Sequence, residues 1–137
     1  MTDHQTAVGL VFDEEGRILI QRRPEDAMLG GVWEFPGGNQ EPGEDLAATC
    51  RREVQEELGI NVEVGTLFMR VSHTYSHFKI TMHAFLCRLV RGTPSSAAGQ
   101  PWRWVTVSEL NNYAFPRANR RLIEAMAERR RSPSLFD

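Results

Sequence analysis

The chain has 137 residues, 41% of them apolar and 25% charged, with a formal net charge of −2. That size suits one domain around one core. The charge gives no overall pull toward nucleic acid or an anionic membrane, and no apolar run approaches the ~18 residues of a spanning helix. The start, Met1-Thr2-Asp3-His4, lacks the basic-then-apolar pattern of a secretory signal, so a reducing cytoplasm is the expected setting. Cys50 and Cys87 sit in amphipathic segments and read as small core residues.

Residues 6–12 form a mostly apolar run that reads as a strand, and Asp13-Glu14-Glu15-Gly16 as a turn. Residues 17–23, with Ile18-Leu19-Ile20, predict a second strand and thus a hairpin, which Pro24 ends. Arg22 and Arg23 close that strand, either as a solvated edge or within reach of phosphate. Residues 27–31 read as a loop and residues 32–36 as a short extended piece. It leads into a loop where Gly37, Gly38, Pro42 and Gly43 crowd together. Residues 44–58 follow as a helix, because Leu46 or Ala47, Cys50, Val54 and Leu58 recur at spacings of three and four. Glu44 and Asp45 fall in its first turn, where the helix dipole favours anions, and Gly59 stands where a C-terminal cap belongs.

Beyond that helix, residues 61–72 predict a strand, with Gly65 as the place for a break, and residues 79–89 predict another. In the latter, Ile80, Met82, Ala84 and Leu86 point one way and Phe85, Cys87 and Leu89 the other, so both faces are expected to be covered. Residues 73–78 make the hairpin end between them, and residues 92–101 read as a flexible loop. Residues 102–107 form a short strand, after which Ser108 is expected to N-cap a turn at Glu109-Leu110. A final helix over residues 117–130 turns Leu122, Ile123 and Met126 inward, with Arg129, Arg130 and Arg131 at its C-terminal dipole. The pattern predicts an α/β fold, a mixed β-sheet between helices, with one domain over residues 1–131 and a flexible tail over residues 132–137.

The chemistry concentrates on the first helix. Glu53, Glu56 and Glu57 lie three and four apart, so their carboxylates leave from one patch. Such pairs repel by about a few tenths of a kcal/mol each, and Arg52 relieves part of this by pairing with Glu56. A divalent cation relieves much more. Hard oxygen donors without Cys or His suit Mg²⁺, or Mn²⁺ in its place, better than zinc. The glycines just ahead of the helix let the backbone approach such a ligand closely. A solvated acidic helix face is the plain alternative; the coincidence of glycine run, arginine and spaced acids favours the metal.

The stretch Gly38-x5-Glu44-x7-Arg52-Glu53-Val54-x-Glu56-Glu57-x-Gly59-Ile60 resembles the Nudix box at every defined position. The resemblance implies a Nudix-type α/β/α sandwich and Mg²⁺-dependent hydrolysis of a nucleoside diphosphate linked to another moiety. It implies metal ligation by Glu53, Glu56 and Glu57, with the Gly37 carbonyl as a further candidate. The catalytic set it suggests is Glu53, Arg52 and Glu56, with Glu53 the first choice for general base and Arg52 orienting the glutamates. Glu44 braces the loop or joins the metal's outer shell. Such a cation neutralises polyphosphate charge and acidifies a bound water.

Outside the box, the chain is similar to MutT-type 8-oxo-dGTP diphosphatases at Ala7-Val8-Gly9, Arg22-Arg23, Glu34-Phe35-Pro36-Gly37-Gly38, Gly99-Gln100-Pro101 with Trp104, and Phe115-Pro116 followed by Ala118-Asn119. That likeness implies conversion of 8-oxo-dGTP to 8-oxo-dGMP and pyrophosphate, which protects DNA replication from mutation. In that family an asparagine matching Asn119 reads the oxidised guanine edge. A side-chain amide offers donor and acceptor together, as a purine edge requires; the alternative is an exposed polar residue in a first helical turn. Arg23 matches an arginine that contacts the nucleotide, and Glu34, Phe35 and Phe78 complete the expected nucleotide-binding set.

Residues 73–78 are also similar to the loop with which adenine glycosylases read 8-oxoguanine in DNA. A non-catalytic DNA reader, with Arg117, Arg120, Arg121 and Arg129 to Arg131 as a basic face, is therefore the alternative of another class. The intact box favours a hydrolase of small nucleotides, with no stable nucleic-acid complex and no membrane partner. His73 and His77 alone are a weak zinc pair. Departures from the family are Asn39 for a lysine, Ala98 for an acidic residue and Met28 for a histidine. They bear on metal number and phosphate binding, and leave CTP or a modified dCTP as the alternative substrate. The tail, with Leu135-Phe136, faintly resembles peptides that dock on the bacterial sliding clamp.

Overall fold

The structure, a computed structural model, describes residues 2–27 and 30–129. Among them, seven strands form one mixed sheet: β1 (Thr2–Phe12), β2 (Ile18–Arg22), β3 (Trp33–Glu34), β4 (Gly37–Asn39), β5 (Asn61–Thr74), β6 (Phe78–Arg91) and β7 (Trp102–Val105). Two α-helices, α1 (Leu46–Leu58) and α2 (Arg117–Arg129), accompany a 3₁₀ turn at Val107–Asn112. The main path runs β3-β2-β1-β6-β5, with β4 added to β1 and β7 to β2. β1 and β6 run parallel from Thr2 opposite Phe78 to Phe12 opposite Arg88; the other pairings are antiparallel. The predicted α/β sandwich is the one the chain adopts. No described helix is long and apolar enough to cross a membrane.

Strand alternation divides the core in two. Val8, Leu10 and Phe12 of β1 join Leu110, Phe115, Leu122, Ile123 and Met126 on the α2 side. Ala7 and Val11 join Cys50, Val54 and Leu58 on the α1 side. β2 sends Ile18 and Ile20 one way and Leu19 the other. Covering both faces is what makes these strands read as near-continuous apolar runs. Between the two sets, Gly9 lets α1 lie close: a Cβ there would stand 3.0 Å from Val54 Cγ2 and 3.3 Å from Cys50 Sγ. Cys50 and Cys87 are buried free thiols with sulfurs 3.6 Å apart, core residues as expected.

Several local features differ from the sequence prediction. α1 begins at Leu46, and Asp45 stands before it as the N-cap, accepting the Ala48 N–H at 2.8 Å. Glu44 therefore lies outside the helix rather than in its first turn. The glycine stretch is not all loop, since Gly37, Gly38 and Asn39 pair with Val8, Ala7 and Thr6 as β4. β5 runs through Gly65 with a bulge, its register shifting between Val64 and Leu67. β7 ends at Val105, and the 3₁₀ turn is capped by Thr106, not Ser108, in a reciprocal capping box with Glu109. Residues 92–101 are anchored: the Ser95 and Ala97 amides donate to the Leu58 and Glu57 carbonyls, each at 2.9 Å. These bonds satisfy carbonyls left open at the end of α1. Met28, Arg130, Arg131 and the tail with its proposed clamp peptide lie outside the described residues.

Candidate active site

The capped helix α1 packs on β1, β4 and β5 and carries Arg52, Glu53, Glu56 and Glu57. Glu53 lies directly over Gly38, where a Cβ would come 2.4 Å from its Oε2. Gly37 is equally constrained, because a Cβ there would meet the Ala7 carbonyl oxygen at 2.2 Å. The two glycines thus keep β4 against β1 and leave room for a carboxylate.

Arg52 holds the acids in place. Its Nε and Nη2 fork onto Glu44 at 2.7 and 3.0 Å, while Nη1 donates to Glu53 at 2.7 Å and to Glu56 at 3.2 Å. A fifth contact, Nη2 to the Asn39 carbonyl at 3.0 Å, ties the cluster to β4. Paired with the guanidinium and with Thr49, Glu44 has its carboxyl held down to about pKa 2. The sequence prediction paired Arg52 with Glu56; that bond is present, but the Glu44 fork and the Glu53 contact are shorter. Glu56 remains largely in solvent, its side chain 57% exposed.

One turn on, Glu57 is half-buried and hydrogen-bonded to Glu53, and its pKa is pushed up to about 8, first by burial and then by that carboxyl contact. The Gln21 amide, 6% exposed, donates to Glu57 Oε1 and, at 3.3 Å, to Glu34 Oε2. Glu34 also accepts from Arg23 Nη1 at 2.7 Å, and burial raises its pKa against the opposing pull of Arg23 and Gln21. The arrangement chains the acids of α1 to the residues expected to meet a nucleotide.

Two cavities share Glu34. One, of about 250 Å³, is lined by Arg23, Glu34, Phe35, Gly37, Gly38, Tyr75 and Asn119, with Ile80 and Met82 among its apolar walls. Phe35 is fixed by stacking on Phe115, ring centroids 5.2 Å apart. Asn119 sits half-buried in the first turn of α2. The other, of about 260 Å³, is lined by Gln21, Arg22, Glu34, Glu56, Glu57 and the segment at Ser96, Ala97 and Ala98. Phe78 does not line the first cavity; it stacks on Tyr75 at 4.8 Å, and Tyr75 takes the wall. Tyr75 and Gln21 were not among the expected site residues. The one signal for Gln21 is an amide closing the apolar run Ile18-Leu19-Ile20.

As the side chains stand, no described group of three or more acidic, histidine or cysteine residues is gathered to hold a metal ion. The donor chemistry nonetheless fits one. Glu53 and Glu57 bring hard carboxylate oxygens against each other, and that contact helps burial to raise the Glu57 pKa; a divalent cation would offset the same repulsion.

The NUDIX domain family profile matches residues 7–125. The chain belongs to the NUDIX domain family. It is 37% identical over 119 residues to an 8-oxo-dGTP diphosphatase of Escherichia coli, covering 87% of this chain and 92% of that one. It is 33% identical over 128 residues to a CTP pyrophosphohydrolase of the same organism, covering 93% and 95%. The solution structure of the E. coli ORF135 protein superposes with a TM-score of 0.83 at 29% identity, over 98% of this chain and 96% of that one. Nudix hydrolases generally use a divalent metal ion.

Proposed function

We propose that this Nudix hydrolase is a Mg²⁺-dependent nucleoside triphosphate pyrophosphohydrolase that converts 8-oxo-dGTP to 8-oxo-dGMP and pyrophosphate. One observation carries the reading: the cavity holding Phe35, Arg23 and Asn119 adjoins the Glu53–Glu57 acids through shared contacts at Gly38 and Glu34. Glu53, Glu56, Glu57 and the Gly37 carbonyl hold the ion. When bound, the ion supplies charge neutralisation for the polyphosphate and a more acidic water.

Glu53 takes the proton of the attacking water at its carboxylate. Arg52 keeps that carboxylate aimed through the 2.7 Å contact and its own fork to Glu44. Arg23, braced by Glu34, contacts the nucleotide, and Phe35 with Tyr75 supplies apolar surface for the base. Asn119 presents an amide donor and acceptor to the edge of the oxidised purine.

The test is product-resolved hydrolysis of 8-oxo-dGTP, dGTP, CTP and dCTP with Mg²⁺. Nucleoside monophosphate with pyrophosphate, and preference for 8-oxo-dGTP, is expected; equal or absent activity on 8-oxo-dGTP removes the sanitising role. A second reading, preference for CTP or a modified dCTP, is favoured by the likeness to the CTP pyrophosphohydrolase and appears in the same panel as a reversed ranking.

A further inference from the structure

We infer that Gln21 is a positioning residue that orients Glu57 for metal binding and fastens it to the nucleotide wall at Glu34; this rests on the metal-dependent function proposed above. Gln21 ends the buried run Ile18-Leu19-Ile20 and is itself only 6% exposed. An apolar side chain there would extend the core, and burying an amide costs free energy unless it is bonded. Its amide nitrogen donates to Glu57 Oε1 on α1 and to Glu34 Oε2 on β3. Glu34 is thereby held at both oxygens, the other by Arg23 Nη1 at 2.7 Å. An arginine or lysine in this place would also bind both acids but would cancel the negative charge a cation needs. A neutral amide fixes their orientation and leaves their charge intact. Groups that orient metal ligands from behind typically contribute about 10–100-fold to affinity or activity.

The experiment titrates Mn²⁺ alone into wild-type and Gln21→Met proteins by calorimetry, with kcat and KM for 8-oxo-dGTP in parallel. Gln21→Met keeps the chain length and removes the donors. It is expected to weaken Mn²⁺ binding by about tenfold or more, with kcat falling more than KM rises. Mn²⁺ affinity within twofold of wild type in folded Gln21→Met overturns the inference, since a merely packed glutamine would change stability alone. The same inference is read in the wild-type protein by NMR, independently of how the variant folds. The Gln21 side-chain amide resonances are expected to shift on titration with Mg²⁺, and unchanged resonances at saturation overturn it. Weakened Mn²⁺ binding in Gln21→Met without wild-type hydrolysis of 8-oxo-dGTP supports this inference and removes only the substrate assignment. Hydrolysis with unweakened Mn²⁺ binding in the variant removes only this inference.

Discussion

Adding one methyl group at Gly38 should disarm the enzyme while sparing the fold. A Cβ on Gly38 would lie 2.4 Å from Glu53 Oε2, 2.5 Å from Cδ and 2.9 Å from Oε1, and these are its three nearest neighbours. Ordinary contact begins near 3.4 Å, so in Gly38→Ala the Glu53 carboxylate must withdraw by about 1 Å, and a misplacement of that size costs on the order of 10²-fold in rate. The backbone at Gly38 does not require a positive φ, so alanine meets no conformational penalty there. Gly37→Ala is the contrasting control. Its Cβ would meet the Ala7 carbonyl oxygen at 2.2 Å and Val8 Cα at 2.8 Å, and backbone cannot swing aside as a side chain can. The assay pairs kcat with thermal melting. Gly38→Ala should lose about 10²-fold in kcat with a melting temperature close to wild type, and Gly37→Ala should melt well below it. A Gly38→Ala enzyme within threefold of wild-type kcat would refute the assignment of Glu53 to the chemistry.

Arg52→Lys keeps the charge but not the fork to Glu44 or the simultaneous contacts to Glu53 and Asn39, so kcat should fall by about 10–100-fold, measured at saturating nucleotide. Without metal, the raised pKa of Glu57 makes stability depend on pH. The folded protein binds this proton more tightly than the unfolded chain, so the contribution is full below about 4.5 and is lost as pH rises through about 8. Melting in a chelator should therefore weaken across that window, by at most about 1.4 kcal/mol per pH unit, and Glu57→Gln should flatten the slope. Asn119→Ala should narrow the kcat/KM preference for 8-oxo-dGTP over dGTP by about tenfold or more, the loss expected when a base edge forfeits paired hydrogen bonds.

Much of this arrangement is legible in the residues because α1 writes its own boundaries. The spacing of four between Cys50, Val54 and Leu58 marks its buried stripe, and the αL residue Gly59 ends it. The same periodicity places Glu53 and Glu57 on one face of the helix, half-buried beside β4 and Gln21. Strand β4 stayed hidden because Gly37 and Gly38 have no side chains to alternate; only the pairing with β1 defines it. The anchoring of residues 92–101 was equally silent, since backbone amides at Ser95 and Ala97 make those bonds without any side-chain signature. Thr106 and Ser108 are both competent N-caps, and the end of β7 at Val105 decides between them. In the 73–78 segment the choice between Tyr75 and Phe78 depends on which ring of a stacked pair faces the cavity, a matter of tertiary packing.

The most direct measurement is a crystal structure with Mn²⁺ and a non-hydrolysable 8-oxo-dGTP analogue, using anomalous scattering to locate the ion. The account predicts the anomalous peak among the Glu53, Glu56 and Glu57 carboxylates and the Gly37 carbonyl, with the purine against Phe35 and Asn119. An ion and nucleotide bound away from α1, with those carboxylates uncoordinated, would contradict it.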